Sequence, residues 1–107
     1  MSTLKVTRLP FWITLYVPLA KRADRLSFGL VQAAGGVTVT RAVGSYIMDD
    51  GTDCTETVLL HKVAFNEEKK AGVTVAINEY IRYLLDSGEE SVLVETHDGT
   101  GLYTKED

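Results

Sequence analysis

The chain has 107 residues, 45% hydrophobic and 24% charged, proportions that exclude wholesale disorder and fibrous repeats and fit a single domain over residues 1–107. A formal charge of −4, from 15 acidic and 11 basic side chains, repels phosphate backbones and anionic bilayers, so neither nucleic acid nor a membrane is expected as a partner. One cysteine, Cys54, allows no internal disulfide and points to a reducing cytosol.

The apolar stretch Leu9–Ala20 is too short to span a bilayer and is interrupted by Pro10 and Pro18. Its aromatic and β-branched part, Phe11–Val17, is expected to form a buried first strand closed by Pro18. From Lys21 to Ala34, Ala23, Leu26, Leu30, Val31 and Ala34 recur at helical spacing, and Gly35-Gly36 stops the helix. The basic side chains Lys21, Arg22 and Arg25 read as its solvated face.

Val37–Met48 alternates, with Val37, Val39, Val43 and Ile47 on one face, and Thr55–Phe65 is again rich in strand formers. The turn formers Asp49-Asp50-Gly51-Thr52-Asp53 between them predict a hairpin. Apolar matching favours Val37 opposite Phe65, Val39 opposite Val63 and Val43 opposite Leu59, with Asp50-Gly51-Thr52 as the loop. That register sets Tyr46 directly across from Glu56, with Cβ atoms ~5 Å apart.

Asn66 is the expected N-cap of a second helix, with Glu67 and Glu68 at the positive end of its dipole. Its apolar stripe is Val73, Ala76, Ile77, Tyr80, Ile81 and Leu84, and Ser87-Gly88 ends it. Ser91–Thr96 reads as a strand, followed by a turn through His97–Gly101 and a short last strand, Leu102–Lys105.

The order βαββαβ plus one terminal strand predicts an α+β, ferredoxin-like antiparallel sheet with two helices on one face. Leu59, Val63 and Phe65 belong to the helix-covered side, while Val58, Leu60 and Ala64 make the other side apolar too. An uncovered apolar face implies a homo-oligomer.

Motifs for nucleotide phosphates, dinucleotides, serine nucleophiles and Cys-x-x-Cys redox chemistry are absent from the sequence. Cys54, His61, His97 and Asp98 match no local ligand spacing, so no metal or other cofactor is expected. Cys54 beside a hairpin turn reads as packing rather than as a nucleophile. The candidate pair is Tyr46 with Glu56, a phenol and a carboxylate on a face open to another subunit. A plain solvated cross-strand contact is the alternative reading.

A resemblance adds to this. Gly44-Ser45-Tyr46, the acidic turn through Asp53-Cys54, Glu56, the long helix into Ser91-Val92-Leu93-Val94, and Thr96-His97 before Gly101-Leu102-Tyr103 resemble, in order and spacing, small phage-encoded S-adenosylmethionine lyases. These enzymes were formerly called hydrolases. The likeness spans roughly the last 60 residues, and Glu90-Ser91-Val92-Leu93 is also similar to an uncharacterised bacterial family of like topology.

The resemblance implies cleavage of S-adenosylmethionine to methylthioadenosine and homoserine lactone, or homoserine, in the host cytosol. It implies no cofactor, and a homo-oligomer, by family likeness a trimer, with the site at the subunit interface. Glu56 and Tyr46 are then the expected catalytic pair, with Ser45, Asp49, Asp53, Glu95 and His97 as substrate-binding groups. A non-enzymatic module that binds a small molecule or inhibits a host protein is the rival reading, and a bare assembly domain is a third.

Overall fold

The computed structural model describes residues 2–106. Five strands form one antiparallel sheet in the spatial order β2-β3-β1-β4-β5. Strand β1 (Phe11–Pro18) is central, flanked by β3 (Asp53–Phe65) and β4 (Val92–Thr96), with β2 (Thr38–Ile47) and β5 (Gly99–Tyr103) at the edges. Helices α1 (Asp24–Ala34) and α2 (Lys70–Asp86) pack on one face, giving the expected ferredoxin-like arrangement with its extra strand beyond β4.

The period-two pattern decides which residues meet the helices. Leu15 and Val17 of β1, Leu59, Val63 and Phe65 of β3, and Val92 and Val94 of β4 pack with Leu26, Leu30, Val73, Ile77, Tyr80, Ile81 and Leu84. Burying a side chain of this size contributes about 1.5–3 kcal/mol each, so this stripe dominates the driving force for the sheet–helix layer. No helix among the described residues is long and apolar enough to cross a membrane.

Local signals set the helix ends. Gly35 takes the left-handed conformation, φ +93°, and its N–H closes α1 onto the Val31 carbonyl. The Asn66 side chain accepts from the Lys69 N–H at 3.3 Å and caps a 3₁₀ turn, Glu67–Lys69, that leads into α2. Lys21 lies in a 3₁₀ turn ahead of α1, and its ammonium donates to the Ser87 carbonyl at the end of α2. It therefore ties the α2–β4 connection rather than simply facing solvent.

Expectations for the last strand and the hairpin are corrected as well. The last strand starts at Gly99, because only His97 and Asp98 are needed to turn Thr96 back onto Gly99. The hairpin pairs Val39 with His61 and Val43 with Thr57 rather than with Val63 and Leu59. Tyr46 accordingly stands opposite Cys54, and Glu56 opposite Gly44.

Turn chemistry displaced the register. The Gly51 N–H donates to the Met48 carbonyl at 2.9 Å and the Met48 N–H to the Thr52 carbonyl at 2.7 Å, making Asp49-Asp50-Gly51 the loop. Gly51 has φ +87°, and the Asp50 carboxylate accepts from both the Thr52 N–H and its hydroxyl. This is the three-residue loop with glycine in the left-handed position. Apolar matching had little to oppose it with: Val39 is 47% and Val43 73% exposed, since the helices do not cover β2.

One polar chain lies inside the core. His61, 1% exposed, meets Ser27 Oγ at 3.0 Å through Nε2 and the Leu59 carbonyl at 3.2 Å through Nδ1. Ser27 Oγ is also 3.0 Å from the Tyr80 hydroxyl, which accepts from the Ala23 N–H. A neutral imidazole with its proton on Nδ1 satisfies every member of the chain. Burial pushes the His61 pKa below its ordinary 6.5. The unfolded chain then binds the proton more tightly, so stability is lost as pH falls below 6.5. The midpoint of urea denaturation should fall between pH 7 and pH 5, and the imidazole NMR titration should centre below 6.5; a midpoint above 6.5 would contradict the assignment.

Candidate active site

The face of the sheet away from the helices carries a cleft of about 530 Å³ at the end where the hairpin, the end of β1 and the α2–β4 connection converge. That is within the usual range for small-molecule sites. Tyr16 and Pro18 come from β1, Tyr46 and Asp49 from the hairpin, and Glu89 and Glu90 from the loop before β4. Val58, Leu93 and Leu102 supply apolar surface.

Tyr46 and Glu56 meet here in spite of the changed register. A displacement by two residues leaves each side chain on the same face, and a diagonal neighbour lies within reach of an aromatic ring. Gly44, directly opposite Glu56, offers no side chain to obstruct that reach. The Tyr46 hydroxyl donates to Glu56 Oε1 at 3.2 Å. Its pKa is raised well above the ordinary value by the Cys54 thiol, by partial burial and by the Glu56 charge, so the phenol stays protonated across physiological pH.

The cleft is acidic. Asp49, Glu56, Glu89 and Glu90 border it, and none of the described lining residues is lysine or arginine. Burial, and then the nearby Glu56 charge, raise the Glu89 pKa against the pull of Lys21, with Glu90 adding to the rise. Glu90 accepts from the Asp49 N–H at 3.4 Å, which joins the loop to the hairpin tip. With four carboxylates at its border and Lys21 acting on Glu89 only from outside the lining, the cleft favours a cationic ligand.

Of the residues expected in the site, Tyr46, Glu56, Ser45 and Asp49 line the cleft, although the Ser45 hydroxyl is engaged with Thr55 at 3.0 Å. Asp53, Glu95 and His97 do not line it. Asp53 opens β3 opposite Ile47. Glu95 lies in β4, where it accepts a hydrogen bond from Tyr16. His97 sits at the far end of β1, with Nδ1 3.2 Å from the Trp12 N–H and its ring against Phe11. Sequence order brought these residues near the motif, but alternation in β3 turns Asp53 to the other face from Glu56, and the run of β4 carries Glu95 and His97 away from the cleft.

Tyr16, Glu89 and Glu90 are the cleft residues that sequence reasoning missed. Tyr16 carried one signal, since alternation in β1 puts it opposite the buried Leu15 and Val17. Among the described residues, no group of three His, Cys, Asp or Glu side chains is arranged to hold a metal ion.

An uncovered face of a ferredoxin-like sheet, bearing an acidic, aromatic-lined cleft, defines the class of this protein. No protein-family model matches the chain, and no curated protein matches it. Among solved structures, a phage SAM lyase in complex with S-methyl-5'-thioadenosine superposes with TM-score 0.69 at 15% identity, covering 97% of both chains. A phage SAM lyase in the apo state superposes with TM-score 0.62 at 16% identity, covering 98% of both. A Bacillus cereus protein related to NIF3 matches with TM-score 0.60 at 13% identity over 87% of this chain and 27% of its own. The chain thus has the fold of the phage SAM lyases.

The Tyr46–Glu56 bond is solvent-exposed, and such bonds contribute little to stability. Tyr46→Phe should lower the stability measured by urea denaturation by less than about 1 kcal/mol. A loss of several kcal/mol would make the pair structural.

Proposed function

We propose that the chain cleaves S-adenosylmethionine (SAM) to methylthioadenosine and homoserine lactone. The observation that carries the reading is the acidic phenol–carboxylate cleft on the uncovered face of a fold shared, end to end, with phage SAM lyases. One of those structures holds S-methyl-5'-thioadenosine, the nucleoside product of this reaction.

The chemistry asks little beyond binding and bending. A substrate carboxylate oxygen bonds to Cγ, the Cγ–S bond breaks, and its electron pair passes to sulfur. Neutral methylthioadenosine leaves, and the lactone keeps its ammonium. No proton is transferred. Holding the methionine arm in a ring-like conformation makes the step intramolecular, which lowers the barrier by up to ~7–11 kcal/mol.

In this reading Glu56 clamps the substrate ammonium through charge-assisted hydrogen bonds and so aims the carboxylate at carbon. Tyr46, held by its bond to Glu56, orients the amino-acid end. Opposite charges cancel as the ring closes, so a partly desolvated cleft favours the transition state over the separated charges of bound SAM. Asp49, Glu89 and Glu90 favour arrival of a cation.

The active form is proposed to be a homotrimer in the cytosol, with the cleft completed by a neighbouring copy. Tyr46 is 42%, Ile47 67% and Leu102 66% exposed around its rim, so a second chain would exclude water from it.

Incubation with SAM should yield methylthioadenosine by chromatography, and absence of that product would end the lyase reading. Glu56→Gln should lower the rate on the order of 10²-fold without unfolding the chain, the scale expected when a positioned group is lost. In ¹⁸O water, any homoserine should carry label in its carboxylate, as lactone hydrolysis demands; label in its hydroxyl would mean direct attack by water. Light scattering should give three times the chain mass, and a monomer with full activity would remove the interface from the mechanism.

A further inference from the structure

Two phenol–carboxylate pairs stand on the uncovered face, and they are built differently. In the Tyr46 pair, both members line the cleft. In the Tyr16 pair only the phenol does, and the Glu95 carboxylate that accepts its hydrogen bond lies behind it on β4, opposite Thr14.

A tyrosine has a single hydroxyl hydrogen. Because Tyr16 spends it on Glu95, it has none to donate to a ligand in the cleft. What remains for the ligand is the electron-rich ring and the oxygen lone pairs. A charge-assisted bond to a carboxylate moves electron density onto the phenol, strengthening attraction for a positive charge. Tyr16 also stays protonated at neutral pH, its pKa raised by the Glu95 bond first, then by burial and the Glu95 charge.

SAM bears two cations of different chemistry. An ammonium has N–H groups to give a carboxylate, whereas a sulfonium has none and is held by aromatic faces and by charge alone. The cleft offers both kinds of partner: Glu56 on one side and Tyr16 on another. Resting on the SAM reading above, we propose that Tyr16 is the wall that recognises the sulfonium, and that Glu95 is a positioning residue that fixes and enriches its ring.

The test compares SAM with S-adenosylhomocysteine, which lacks the methyl group and positive charge at sulfur. Dissociation constants are measured by calorimetry on the full chain in the Glu56→Gln background, where turnover is slow. The parent should prefer SAM. Adding Tyr16→Leu should shrink that preference about tenfold, while Tyr16→Phe should keep most of it. Glu95→Gln, whose amide oxygen still holds the hydroxyl, should reduce it partially, and Glu95→Leu further.

Glu95→Gln should also bring one phenol ionisation back toward 10 in alkaline absorbance titration, a shift that a packing role would not produce. An unchanged SAM preference in Tyr16→Leu, or a parent with no preference, overturns the proposal. If Tyr16→Leu fails to fold, an unchanged preference in both Glu95 variants overturns it. A Tyr16-dependent preference in a protein that forms no methylthioadenosine would overturn the lyase reading while leaving the sulfonium wall in place.

Discussion

The structure depends on covering only one face of its sheet. Leu15, Val17, Leu59, Val63 and Val94 lock against Leu26, Leu30, Ile77, Tyr80 and Leu84, and both helices are consumed in making that contact. The opposite face is left without a layer of its own. The candidate site stands on that uncovered side, where alternation along β1, β2, β3 and β4 has put phenols and carboxylates among apolar residues. The same strands are therefore core on one side and site on the other.

The electrostatics follow from that placement. Hairpin, central strand and α2–β4 loop each contribute an acid or a phenol at one end of the sheet. Lys21, whose charge pulls on Glu89, donates to the Ser87 carbonyl and lies outside the cleft lining. Acids brought together without basic partners among them have an electrostatic cost that a cationic ligand relieves. Tyr16, its hydroxyl tied to Glu95, is proposed to add a preference for charge that carries no hydrogen-bond donor. Together these properties support the proposed substrate, which carries both an ammonium and a sulfonium.

Much of the architecture was legible in the chain. Helical spacing in α2, the glycine after α1, Asn66 before the second helix and the alternating strands gave the element order, and the order gave the ferredoxin-like class. Within the site, Tyr46 and Glu56 were legible as partners on one face because parity survives a shift by two residues. Their direct opposition was not, because Gly51 and Asp50 set a turn centred one residue earlier and β2 had too little buried surface to resist. Glu89 and Glu90 followed a helix stop and carried no pattern pointing to a cleft. Glu95 and His97 were drawn into the expected site by their nearness in sequence to a motif, whereas β4 runs away from it.

By itself the sequence determined the periodic features: which residues face the helices, where helices start and stop, and that Tyr46 and Glu56 share a side. These are local, set by repeats of two and 3.6 residues and by backbone preferences at glycine and asparagine. Only the tertiary structure decided which loop lies beside the hairpin, which carboxylate lies behind Tyr16, and which of the acids gather round one cleft. Those outcomes depend on strand order and on the direction in which each strand crosses the sheet, and such long-range pairings leave no mark in any short stretch of sequence.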